Sequence, residues 1–307
     1  MCNYGQGHMI GREKIDEILQ RIASGAEGAD SILVGTLGSI FDREEMPQRC
    51  LEMICTGLNR IPVHTIIFET HYSFVSLELC QWLKDMMPDK DIVIELGLES
   101  VDSFVQKRCL NKSIQLAIFK EKIELIHKTY MSVTVNVFLG SPFLTVKKQI
   151  EDVEKTILWA IENGVDSTTI FPANIRKGTL LDELYQNGKY KRITQWQVLE
   201  VLKKIPEDYL NRIFISWYGD WIDRDEGGEV ENLPPYACNQ CRTEWMKFYH
   251  EFLSGCVSEQ RKKLLREFAE KMGRCLCRCE FEEDLYSSRD EEESIPEIPA
   301  CVREYVG

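Results

Sequence analysis

No stretch of this chain approaches the roughly 20 consecutive apolar residues that a membrane-spanning helix requires, and its first residues lack the charged-then-apolar layout of a secretory leader. A cytoplasmic protein with no membrane partner is the expectation. Cationic excess is missing as well. Lys and Arg number 37 against 50 Asp and Glu, a net charge of -13, which argues against unspecific attraction to nucleic acid or anionic lipid. An RNA contact would need a local basic patch. Arg261, Lys262, Lys263, Arg266, Lys271 and Arg274 offer one, although their spacing equally suits the solvated face of an amphipathic helix. A phosphate-cradling glycine loop is absent too, which leaves an ordinary β/α-barrel enzyme built around one without support.

What is present is a rhythm. Apolar residues at helical spacing occupy 10–24, and a short apolar run follows at 31–35. The alternation then repeats as helix 44–60, strand 63–68, helix 73–87, strand 92–98, helix 114–130, strand 133–139, helix 146–163, strand 167–171 and helix 179–186. Strands alternating with helices predict a parallel sheet with right-handed crossovers, open or curved into a barrel. The first element is a helix with no strand before it, which would expose an unpaired sheet edge; the expectation is a sequence that starts within a longer one. After Gly188 the rhythm changes. A helix is predicted at 195–204, a strand at 212–217, an acidic connector containing Gly and Pro at 219–235, and a long helical pattern at 242–273. Beyond Glu280 the acidic, Pro-containing composition reads as a tail.

The chain has 12 cysteines, and without a secretory leader these point to metal ligation more than to disulfides. Cys50, Cys55, Cys80 and Cys109 lie in apolar-periodic segments and read as packing residues. Others crowd together between Cys238 and Cys279. Two short cysteine clips flanking a helix supply four thiolates to zinc, and the expected set is Cys238, Cys241, Cys277 and Cys279, with Cys275 spare. An auxiliary iron-sulfur cluster is the competing occupant. Trp245, Phe248, Tyr249 and Phe252 are either a partner-binding face or the core face of the tail helix.

Polar residues also interrupt the strands. Glu95 and Glu99 fall on one strand face, where buried carboxylates are costly without partners. Glu69 ends the preceding strand before His71. Asn136, amid apolar neighbours, is either a ligand-facing amide or a satisfied core amide.

Several of these stretches resemble one family. Met1-Cys2-Asn3-Tyr4-Gly5 resembles the end of a three-cysteine iron-sulfur loop, and Gly97-Leu98-Glu99-Ser100 followed by Asn111-Lys112 resembles a strand-end signature of radical S-adenosylmethionine (SAM) enzymes. From residue 2 to about 206 the chain is similar to the elongator-type radical SAM group, and especially to the archaeosine-biosynthesis radical SAM lyase family (RaSEA). Gly178-Thr179, Leu180, Leu184, Gly188, Tyr190 and Trp196 resemble its closing segment, and Cys238/Cys241 with the later Cys-x-Cys resemble its terminal cysteine module.

The resemblance implies an α/β fold: a partial (βα)6 radical SAM barrel lacking its first strand, with a small Cys-rich C-terminal module. The implied organisation is a barrel at 1–206, a connector at 207–237, a metal-binding module at 238–285 and an acidic tail at 286–307. It further implies reductive cleavage of SAM at a [4Fe-4S] cluster, an external electron donor, and lyase-type modification of a tRNA nucleoside. Cys2 would be one cluster ligand, with the other two upstream, so this chain alone is expected to be inactive. The SAM contacts implied are Gly38, Ser39, Glu99, Ser100, Asn136, Pro172 and Asn174. No catalytic residue beyond these is named; Tyr72, His71 and Cys109 either relay a radical or simply pack. The alternative function is a non-catalytic zinc-binding interaction protein on a degenerate barrel.

Overall fold

In the computed structural model, residues 11–25, 28–35, 38–216, 223–224 and 230–287 are described. The first half runs α1 (Arg12–Gly25), β1 (Ser31–Val34), α2 (Gln48–Asn59), β2 (Thr65–Thr70), α3 (Leu77–Met86), β3 (Asp91–Glu99), α4 (Leu116–His127), β4 (Ser132–Leu139) and α5 (Val146–Glu162). It continues through β5 (Ser167–Pro172), β6 (Ile175–Arg176), α6 (Leu180–Gln186), α7 (Gln195–Lys204), β7 (Ile213–Ile215), β8 (Asp223–Arg224) and β9 (Val230–Leu233). Three helices follow: α8 (Arg242–Ser254), α9 (Ser258–Lys271) and α10 (Leu276–Ser287).

Six strands form one sheet in the order β1-β2-β3-β4-β5-β7, and every adjacent pair is parallel. The sheet curls into a half-barrel. Its two faces differ because the pleat sends alternate residues to opposite sides. Ile66 and Phe68, Ile94, Leu96 and Leu98, Val133, Val135, Val137 and Leu139, and Ile170 line the convex face and are completely buried. Helices cover them, with Ile150, Val153, Ile157 and Ala160 of α5 contributing to the same core. On the concave face the corresponding rows carry Leu33, Glu69, Glu95, Gly97, Thr134 and Asn136, and Leu33 is 56% exposed; Glu99, set opposite Val137 by a register irregularity, brings its carboxylate back to the Gly97 side. A parallel sheet with helices on one face and polar residues on the other leaves the polar side for a ligand.

Helix starts are set by side chains that satisfy otherwise unpaired backbone N–H groups. Ser76 caps α3, Thr145 caps α5 and Thr179 caps α6. Thr194 and Gln197 form a reciprocal capping box on α7. Two expectations need correction here. The helical pattern at 242–273 is two helices, α8 and α9, separated at Gly255; Gly255 N donates to Glu251 O and its carbonyl accepts from Arg261 Nε, so the chain turns there. The connector also contains structure: β9 pairs antiparallel with β6 and β8 in a second small sheet. Cys50, Cys55, Cys80 and Cys109 are buried, in keeping with packing roles. Trp245, Phe248, Tyr249 and Phe252 are buried in the core cluster that also contains the barrel. Among the described residues no helix is long and apolar enough to cross a membrane.

Candidate functional site

The concave face converges on the C-terminal ends of the strands. Glu69 and Glu95 are register partners on β2 and β3, so their side chains emerge on one face. Burial pushes the Glu95 carboxyl up to about 7, with the neighbouring Glu69 charge adding to the effect and a hydrogen bond from Asn136 opposing it. Glu69 is raised by burial and then by Glu99, while Lys112 pulls the other way. Asn136 stands opposite Gly97 in the register. It is 5% exposed, and its Oδ1 has no protein partner. A buried acceptor without a donor is uncommon and favours an incoming donor.

Glu99 closes β3 after a register irregularity between Gly97 and Glu99. It holds φ at 62°, a left-handed conformation costly for a residue with a Cβ. Its Oε1 accepts from Lys112 Nζ at 2.6 Å. Gly97 keeps the space clear, since a Cβ there would lie 2.9 Å from Glu99 Oε1. Ser39 sits across the same rim. Its hydroxyl lies 2.5 Å from Thr70 Oγ1 and accepts from His71 N at 3.1 Å, while its own N donates to Glu45 Oε2 at 2.8 Å. A Cβ at Gly38 would overlap the Glu45 carboxylate. Burial, then Lys112, lowers the His71 imidazole below its ordinary range.

The remaining expected SAM contacts are more scattered. Ser100 is fully buried, and its hydroxyl is committed to Asp152 at 2.6 Å. Pro172 ends β5 opposite Leu139, and Asn174 follows with Oδ1 unpartnered. Tyr72 accepts from Gln115 N at 3.3 Å and stacks near Phe119. Cys109 is buried and its thiol is pushed up to about 12 by burial, then by Asp152 and Asp102, which suits packing. Cys2 lies outside the described residues.

A second site lies between α7 and the C-terminal helices. The sulfurs of Cys238, Cys241, Cys275 and Cys277 all fall within 4.8 Å of one another, and all four residues are buried. Neighbouring sulfurs are 3.5 Å apart for Cys238 and Cys241, 3.3 Å for Cys241 and Cys277, and 3.5 Å for Cys275 and Cys277. Cys279 stays outside the group, contrary to the pairing expected from sequence. The reason is helical: α10 begins at Leu276, and residues two apart on a helix point in different directions, so Cys277 takes its partner from Cys275 just before the helix. Hydrogen bonding from Cys241, with Trp196 Nε1 donating at 3.2 Å, holds the Cys277 thiol well below its ordinary range. Four thiolates this close fit a single tetrahedral ion, with Zn–S distances of about 2.3 Å. A four-iron cluster places each thiolate on a different iron and spreads them further apart.

Of the two readings open for the basic residues at 261–274, a single basic patch is not what their contacts favour. Arg261 is 2% exposed and donates to the carbonyls of Leu210, Ile213 and Gly255. Lys262, Lys263 and Lys271 are paired with Glu207, Glu267 and Glu244.

No family model matches the chain. Over 203 residues it is 28% identical to archaeosine synthase subunit beta of Thermococcus kodakarensis, covering 66% of this chain and 62% of that protein. Over 214 residues it is 24% identical to the protein of the same name from Methanosarcina acetivorans, covering 69% and 59%. The chain thus spans about three-fifths of the length of these relatives. Among solved structures, an N-terminally deleted Methanocaldococcus infernus Elp3 aligns with a TM-score of 0.49 at 14% identity, covering 86% of this chain and 59% of that one. A queuine lyase from Clostridium spiroforme bound to SAM and queuine aligns with a TM-score of 0.40 at 20% identity, covering 55% and 66%. Over about two-thirds of its length the chain is thus similar in sequence to archaeosine synthase beta subunits, and its described residues fold around a sheet of six parallel strands.

Proposed function

We propose that the concave face binds S-adenosylmethionine, that the chain belongs to an enzyme performing radical chemistry on a modified nucleoside in tRNA, and that Cys238, Cys241, Cys275 and Cys277 hold zinc. The observation that carries the ligand reading is the orphaned Oδ1 of buried Asn136, set beside the Glu99–Lys112 pair on the open face of the sheet. An amino acid zwitterion joined to a nucleoside offers the matching groups. Lys112 would receive a carboxylate, Glu99 an ammonium or ribose hydroxyls, and Asn136 Oδ1 a hydroxyl or amine donor. Gly38 and Ser39 would let the backbone approach the methionine end closely. Pro172 and Asn174 would border the adenine beside β5. Ser100, whose hydroxyl already serves Asp152, would contribute through the backbone it fixes. A reduced [4Fe-4S] cluster, with Cys2 among its ligands and an external electron donor, would supply the electron that breaks a carbon–sulfur bond of SAM.

The nucleoside and tRNA part rests on the archaeosine synthase relatives. The test is titration calorimetry of the chain with SAM, for wild type and for Lys112→Ala and Asn136→Leu, together with elemental analysis for zinc. Saturable SAM binding weakened by both substitutions supports the reading. Stoichiometric zinc with no SAM binding would instead favour the non-catalytic interaction protein.

A further inference from the structure

The Glu99–Lys112 pair is held from behind by residues that face away from the concave side. Glu99 occupies a left-handed conformation, with φ 62°, that nothing in its own side chain requires. The next residue explains how it persists. Ser100 Oγ donates to Asp152 Oδ1 on α5 at 2.6 Å and accepts from Asp102 N at 3.0 Å. Ser100 O accepts from Gln106 Nε2 at 2.6 Å. One helical turn from Asp152, Thr156 Oγ1 accepts from Val101 N at 3.1 Å. The same Gln106 controls the other partner: its backbone O accepts from Lys112 N at 2.8 Å, and its Oε1 accepts from Ile114 N at 3.2 Å. Ser100, Gln106, Asp152 and Thr156 are all at least nine-tenths buried. The segment between them, Val105–Cys109, is wound as a π-helical turn, a form found more often at functional sites than in plain scaffolding.

We propose that Asp152, acting through Ser100 and Gln106, is a positioning residue that sets the presentation of Glu99 and Lys112 on the concave face. The chain of bonds runs from a rigid helix to the end of a strand, then across a buried amide to the turn that carries the lysine. Removing its anchor frees Ser100 to rotate and lets Glu99 relax toward extended backbone, which swings its carboxylate away from Lys112. Asp152→Asn retains the acceptor oxygen and should retain the geometry. Ordinary packing would give a different pattern at Ser100, because Ser100→Ala removes one oxygen at almost unchanged volume and would then leave the pair in place. The inference rests on the SAM reading only for the identity of what Glu99 and Lys112 hold.

The test compares wild type with Ser100→Ala, Asp152→Ala and Asp152→Asn by crystallography, by the 15N signal of the Lys112 ammonium, and by calorimetric titration with SAM. In Ser100→Ala and Asp152→Ala, Glu99 should leave the left-handed region, the Lys112 ammonium should lose its bonded signal, and SAM affinity should fall about tenfold, the scale of one charge-assisted hydrogen bond. Asp152→Asn should restore all three. An unchanged Glu99–Lys112 pair in Ser100→Ala overturns the proposal, and that substitution removes a single oxygen, so it remains decisive if Asp152→Ala does not fold. A wild-type chain that binds no SAM refutes the ligand reading alone, since the pair geometry is read without ligand.

Discussion

Replacing Glu99 with glycine and, separately, with alanine gives opposite orders of stability for the two backbone conformations it can adopt. At a strand end with extended backbone, glycine costs about 0.5–1 kcal/mol relative to alanine because it surrenders more freedom on folding. At φ 62° the order reverses, since alanine retains a Cβ that collides with the following carbonyl, at roughly 1–2 kcal/mol, and glycine does not. Both variants lose the bond to Lys112, whose side chain is 44% exposed; such a pair contributes at most about 1 kcal/mol, and the loss cancels in the comparison. Glu99→Gly should therefore be the more stable of the two by about 1 kcal/mol, a difference of about 2–4 °C in melting temperature for a domain of this size. Urea unfolding followed by circular dichroism measures it. An alanine variant equal to or more stable than the glycine variant would show that Glu99 is extended in solution, and the arrangement of the concave face described above would fall with it.

Other consequences follow from buried groups. Cys275→Ser and Cys277→Ser should each weaken zinc binding by an order of magnitude or more, whereas Cys279→Ser should leave stoichiometry intact in elemental analysis; the reverse ranking of Cys275 and Cys279 would refute the ligand set. The Glu95 carboxyl is held at about 7 from an ordinary 4.5 by burial. Because the unfolded chain gives up this proton first, folding stability should decline as pH rises from about 4.5 to about 7 and level off above, by an amount on the order of 3 kcal/mol. Glu95→Gln should remove much of that slope in denaturation series run across pH, with Glu69 and Asp152, both also raised chiefly by burial, supplying the remainder. Arg261→Leu strands two buried carbonyls and a part-buried one and should cost about 3 kcal/mol or more, so a denaturation midpoint near that of wild type would contradict the hydrogen bonds drawn for it.

Strand positions were largely legible because parallel strands covered by helices carry dense apolar runs, as in Ile92 to Leu98 and Val133 to Leu139. Helix starts were less so. The apolar pattern near Tyr72 extends ahead of Ser76, but only the capping hydroxyl decides where α3 begins. Cysteine spacing located the four-cysteine cluster without identifying all its members, because the choice between Cys275 and Cys279 depends on where α10 starts. Residue spacing left a basic face at 261–274 open beside an ordinary solvated helix face, and gave no sign that Arg261 turns inward. Asp152 carried no signal at all: it lies 52 positions from Ser100, reads as a polar spot on an amphipathic helix, and acquires meaning only when α5, packed on β4 and β5, brings it to the residue after β3. Nor does any glycine mark the left-handed turn at Glu99.

The cysteine group also dictates an order of events during synthesis. Trp196 of α7 leans on Cys277, Phe268 and the Arg278 guanidinium, partners made more than 70 residues after it. A ribosome finishing the half-barrel therefore releases a sheet whose last helix still has a bare aromatic flank. If the group takes zinc as proposed, only when the second clip emerges can that ion draw both clips together and seat Phe268 against that flank. A cell short of the ion would accumulate chains with a finished sheet and an unsealed side, the sort of surface that proteases and chaperones inspect first.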